Sequence, residues 1–156
     1  YLETSVINSP YFNLYLASQI HDADDALFTY GYKVNDLITV IGDVHHIFPK
    51  KYLINNGVKE KSKYNQIANY TYLDTQVNKA VRDDSPNTYF SKVFKQCETG
   101  IPVYGNITDK ALLIKNLQQN CIPETILQME HTNYEEFLTE RRKLMAPEIK
   151  NYYYSL

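Results

Sequence analysis

Two of the chain's four histidines are adjacent, in the string Asp43-Val44-His45-His46-Ile47-Phe48-Pro49, and Asn65, Asn69 and Asn78 follow. Imidazole titrates near neutrality, so a histidine held in a defined geometry serves as a general base or as a neutral metal ligand. An asparagine carbonyl oxygen suits a hard cation such as magnesium. Asp43 is a further candidate ligand. Each residue also has a plainer explanation. Successive strand side chains point to opposite faces, which would put one histidine in the core and the other in solvent. The chain holds 14 asparagines, most of which are expected in turns and caps, and Asp43 reads equally as a solvated strand-end acid.

The surrounding pattern supplies elements that would hold these groups. Ile38 to His46 is short, rich in β-branched residues and interrupted by Gly42, which predicts a strand or bulged strand. Pro49 ends it, Lys50 to Ile54 predicts one or two helical turns, and the polar stretch 55–63 predicts a flexible connection. Ile67 to Leu73 predicts a second strand that carries Asn69. Asp74 or Thr75 then caps a helix that carries Asn78. Elsewhere helices are expected over 11–20, 88–97, 108–119 and 123–130. A last helix has Tyr134, Phe137, Leu138, Leu144 and Met145 on its apolar face, and Pro147 should bend or restart it. Arg141 and Arg142 are expected to pair with Glu136, Glu140 or another acid.

At 156 residues, 44% hydrophobic and 22% charged, the chain fits one folded domain. It contains no apolar run of about 18 residues and no basic-then-apolar start, so neither a membrane span nor a secretion signal is expected, and the cytoplasm is the expected setting. Cys97 and Cys121 form no CxxC pair and are expected to be buried thiols. The opening residue is Tyr1 rather than Met, which leads us to expect a fragment of a longer protein. The net charge of −2 at first argues against a nucleic-acid partner. Its distribution argues otherwise. Residues 43–82 carry seven cations (Lys50, Lys51, Lys59, Lys61, Lys63, Lys79, Arg82) against three acids (Asp43, Glu60, Asp74), which is +4 and leaves −6 on the rest. Lys79 and Arg82, just beyond Asn78, are candidates to steer phosphate, as are Lys50 and Lys51. Tyr64, Tyr70 and Tyr72 could stack on bases, although strand tyrosines more often serve packing.

The ordered set His-His, Asn, Asn in DVHHIFPKKYL and NQIANYTYLDTQVNKAV resembles the HNH motif of ββα-metal nucleases. It is most similar to the HNH domain at the C-terminus of GmrSD-type restriction proteins, and NYEEFLTERRKLMAPEIKNYY resembles that group's last helix. The motif spans about 40 residues, and the broader likeness runs from about residue 30 to the end.

The resemblance implies an α+β domain, mostly helical, built around a strand-strand-helix finger at about 38–82, with helical remainders at 1–37 and 83–156. It makes His46 the general base and His45 and Asn78 metal ligands. Asn69 becomes the residue that fixes the histidine-bearing loop by hydrogen bonding. The last position is asparagine rather than histidine, so the motif is HNN in form. The implied cofactor is Mg2+ or Mn2+, and the implied activity is metal-dependent hydrolysis of DNA phosphodiesters in restriction or phage defence. The implied partners are DNA and a preceding domain that binds and hydrolyses nucleoside triphosphate. The alternative is a nuclease-like finger that binds DNA or protein without cutting.

Overall fold

The computed structural model describes residues 9–39 and 43–156, apart from the side chains of Thr39 and Asp43. Ser9 opens helix α1 (Pro10–His21) by accepting the Tyr11 N–H, with Pro10 in the first turn, where its missing donor costs nothing. Helix α2 (Val34–Thr39) follows. Strand β1 covers Asp43–His46, so its start is later than the sequence pattern suggests: Ile38 and Thr39 close α2 instead. Residues 40–42, which include the Gly42 bulge expected from the pattern, lie outside the described residues. After Pro49 come α3 (Lys50–Asn55) and α4 (Lys61–Tyr64), the latter overlapping the end of the stretch expected to be a flexible connection.

Asn69 is not in a strand. It closes a short 3-10 turn (Ile67–Asn69), and strand β2 begins one residue later (Tyr70–Leu73). The two strands pair antiparallel, Asp43 opposite Leu73 and His46 opposite Tyr70. Asp74 caps α5 (Thr75–Val81) by accepting the N–H groups of Gln76 and Val77 at 2.9 and 3.4 Å. Helices α6 (Pro86–Thr99) and α7 (Lys110–Gln119) follow, and then 3-10 turns at Glu124–Gln128 and His131–Asn133. The helix expected over 123–130 is thus a five-residue 3-10 segment behind Pro123. The arrangement is helix-rich α+β with a two-stranded sheet.

Helix α8 (Tyr134–Ser155) continues through Pro147 without a restart. Pro147 and Lys143, whose carbonyl loses its helical donor, are both exposed residues. Tyr134, Phe137, Leu138 and Met145 are buried, whereas Leu144 is 43% exposed, one position round from the buried stripe.

Among the described residues Arg141 makes none of the expected ion pairs. Arg141 is fully buried and donates to the carbonyls of Ala68 (3.0 Å), Tyr70 (2.6 Å) and Asn120 (3.2 Å). Its cation also lies 5.7 Å from the centre of the Tyr15 ring. One side chain therefore ties α8 to the entry of β2 and, with α1 packed along α8, fixes the sheet on the helical layer. Arg142 bonds Gln66 Oε1 at 3.1 Å. Cys121 is buried and Cys97 half-buried, both as free thiols. Among the described residues, no helix is long and apolar enough to cross a membrane.

Candidate active site

His45 and His46 occupy consecutive positions on β1 and are held by different neighbours, as strand alternation requires. His45 turns inward and is 4% exposed. Its Nδ1 lies 2.8 Å from Asn78 Oδ1, on α5, and its Nε2 lies 3.4 Å from the Tyr89 hydroxyl, on α6. That hydroxyl donates to the Ile47 carbonyl, so its oxygen remains able to accept. Burial lowers the His45 pKa to about 4, against the opposing effect of the Asn78 hydrogen bond. The ring is neutral at pH 7.

His46 is half-buried, edge-on to Tyr64 and Tyr70. Its Nε2 lies 2.8 Å from Asn65 Oδ1. A carboxamide oxygen only accepts, so Nε2 carries the ring proton and Nδ1 the lone pair. Among the described residues Nδ1 has no hydrogen-bond partner. Burial lowers the His46 pKa, the Asn65 bond opposes this, and the Lys50 ammonium adds to the lowering. The result is a neutral imidazole with an available basic nitrogen.

Asn69 is completely buried and fully bonded. Its Oδ1 accepts the Phe48 N–H at 2.8 Å, and its Nδ2 donates to the carbonyls of Phe48 (3.1 Å) and Tyr64 (3.2 Å). Its backbone carbonyl takes the Ile47 N–H at 2.8 Å. The two residues after His46 are thereby clamped to the segment that carries Asn65.

His45, His46 and Asn78 share an open cleft of about 400 Å³ with Lys50, Lys51 and Arg82. Asp83 is the acid among the lining side chains, and it pairs with Lys51 at 3.8 Å. Lys50 lies over the Tyr64 ring at 5.4 Å. Lys79 is exposed on α5 and is not among the lining residues. The side chain of Asp43, the spare ligand candidate, lies outside the described residues. The chain matches no family model, no curated protein and no solved structure.

His45 Nδ1 and Asn78 Oδ1 are the two atoms that would hold a hard divalent cation, which would replace the hydrogen bond now between them. Adjacent ligands around an octahedral ion with bonds of about 2.1 Å lie about 3.0 Å apart, close to the 2.8 Å between Nδ1 and Oδ1. Both atoms would then be lone-pair donors, and the His45 proton would sit on Nε2, within reach of the Tyr89 oxygen. Without a cation, Nδ1–H donates to Asn78 instead. Among the described residues no group of three or more His, Cys, Asp or Glu side chains is placed to hold a metal. A cation held here would take two ligands from this pair, and water and substrate oxygen would fill the rest of its shell.

Two residues assigned no role from the sequence contribute directly, Asn65 and Tyr89. Asn65 lay inside the motif region, but its spacing resembled that of any turn asparagine. Tyr89 is 44 positions from His45 and sits in a stretch readable only as helix. No local signal announces it.

Proposed function

We propose that this chain is a metal-dependent endonuclease of HNH type that hydrolyses DNA phosphodiester bonds, acting in restriction or phage defence as the resemblance implies. The observation that carries this reading is the His46 arrangement: Nε2 anchored on Asn65 Oδ1, and Nδ1 without a hydrogen-bond partner among the described residues, in a cleft that His45 and Asn78 also line. A bound Mg2+ or Mn2+ would stabilise charge on the phosphoryl and leaving 3′ oxygens. His46 Nδ1 takes a proton from the attacking water as its oxygen bonds to phosphorus and the P–O3′ bond breaks. The Asn65 carbonyl stays on Nε2–H throughout and stabilises the imidazolium that forms. Asn69 keeps the loop after His46 from moving, so the base stays aligned with the cleft.

The test is plasmid cleavage by the full-length protein with Mg2+ or Mn2+. Wild type is expected to nick or linearise the DNA, and His46→Ala to lose at least about 100-fold in rate with an unchanged melting profile. Full activity in His46→Ala sinks the proposed mechanism. DNA binding with no cleavage under either metal would return the chain to the non-cutting binding module.

A further inference from the structure

Helix α5 ends in a tight turn, Val81-Arg82-Asp83-Asp84, closed by the Asp84 N–H on the Val81 carbonyl at 3.3 Å. Arg82, its first central residue, has φ +54° and ψ −128°. These are the angles of the first central position of a type II′ turn, which glycine normally fills because a Cβ there is strained. Three other non-glycine residues with positive φ are described: Ala23, Phe28 and Cys121. Phe28 and Cys121 are buried and gain packing from their placement, and Ala23 carries only a methyl group. Arg82 is long and exposed, so packing does not offset its strain.

The placement sets the Arg82 side chain on the rim of the cleft that holds His45, His46 and Asn78. Of the three cations there, Lys51 is paired with Asp83, and Lys50 lies over the Tyr64 ring and beside His46. Among the described residues the Arg82 guanidinium makes no ion pair or hydrogen bond. Its planar fork matches two non-bridging oxygens of a phosphodiester, which an ammonium cannot grip bidentately.

We infer that Arg82 is the phosphate-gripping residue of the cleft, held in a strained turn so that its guanidinium meets the DNA backbone beside His46. The inference rests on the cleft being the DNA site and deepens that reading by assigning the contact to one residue. Stability is given up at this turn for a binding contact, which is a relationship a merely structural residue would not show.

The experiment compares full-length wild type, Arg82→Gly and Arg82→Lys for melting temperature without DNA and for affinity to a short DNA duplex, without divalent metal, at several salt concentrations. Arg82→Gly is expected to melt about 2–4 °C higher, because relief of strain exceeds the added chain entropy. It should also bind the duplex about tenfold more weakly, with a salt slope shallower by about one. Arg82→Lys should keep the salt slope, bind less tightly than wild type and gain no stability. Wild-type affinity and slope in Arg82→Gly, or a lower melting temperature, would overturn the inference. Plasmid cleavage measured in parallel separates the two claims. A wild type that binds but never cuts, with binding lost in Arg82→Gly, defeats the nuclease reading and supports the Arg82 contact. Cleavage by wild type with unchanged binding in Arg82→Gly does the reverse.

Discussion

Asn69 grips Phe48 by both of its backbone groups, accepting the N–H at 2.8 Å and donating to the carbonyl at 3.1 Å, as a strand partner would. A single buried side chain thus does the work of two ladder bonds where the β1 pairing has already ended. The arrangement explains why an asparagine is required there: aspartate has no donor, and leucine of similar size has neither group.

Replacing Asn69 with alanine should therefore destabilise the protein by about 2–4 kcal/mol, because the Phe48 N–H and carbonyl are left buried without partners and the Tyr64 carbonyl keeps only the Tyr134 hydroxyl. Urea denaturation checks this. A cost below about 0.5 kcal/mol would mean that water or backbone movement replaces the clamp.

Asn65 orients His46 from outside the cleft. Asn65→Ala should lower cleavage about 10–100-fold while leaving duplex affinity near that of wild type. Asn65→Asp should restore much of the rate and raise the His46 pKa, since an anion beside Nε2–H favours the imidazolium, so the rising limb of the pH–rate profile moves to higher pH. An unshifted profile in Asn65→Asp would remove Asn65 from this role.

Tyr89 should matter for metal affinity rather than for DNA binding. Tyr89→Phe removes the donor to the Ile47 carbonyl and the oxygen that would accept the His45 Nε2 proton once a cation took Nδ1. Calorimetric titration with Mn2+ should show about 10–100-fold weaker binding. Equal affinity in the two proteins would show that the Tyr89 contact serves packing alone.

Asp24 governs a pH response at the far end of α1. It is 8% exposed, and burial, reinforced by Asp22, Glu148 and Asp25 against the opposing Lys33, raises its pKa from 3.8 to about 7. The stability it contributes is present below pH 4 and lost as pH rises through 7, an effect on the order of 1–2 kcal/mol. The two histidines act in the opposite sense. Their lowered pKa values cost stability as pH falls below 6.5, so wild type alone shows a blunted response. The informative measurement is the difference in melting temperature between Asp24→Asn and wild type. It should be largest at pH 8 and shrink steadily towards pH 4, and a gain that is constant across that range would refute the assignment.

Local chemistry made several elements legible in advance. Ser9-Pro10 starts α1, Asp74 caps α5, and the spacing of Tyr134, Phe137, Leu138 and Met145 marks the buried face of α8. Each of these depends on residues within a turn or two of one another, where propensity and capping dominate. The errors came where distant parts of the chain decide. Arg141 reads as a surface cation beside Glu140, yet it is buried because three backbone carbonyls from other segments replace the missing carboxylate. Asn69 reads as a strand residue, and its use as a clamp for Phe48 depends on a loop brought alongside it.

The sequence by itself determined which groups are available: two adjacent histidines, a set of asparagines and a local excess of positive charge from 43 to 82. Only the tertiary structure decided how those groups are used. It set His45 between Asn78 and Tyr89, gave His46 to Asn65 and left Arg82 on the cleft with its cation unpaired among the described residues. Side-chain chemistry belongs to a residue alone. Protonation state, tautomer and strain belong to a residue in its surroundings, and those surroundings are assembled from segments far apart in the chain.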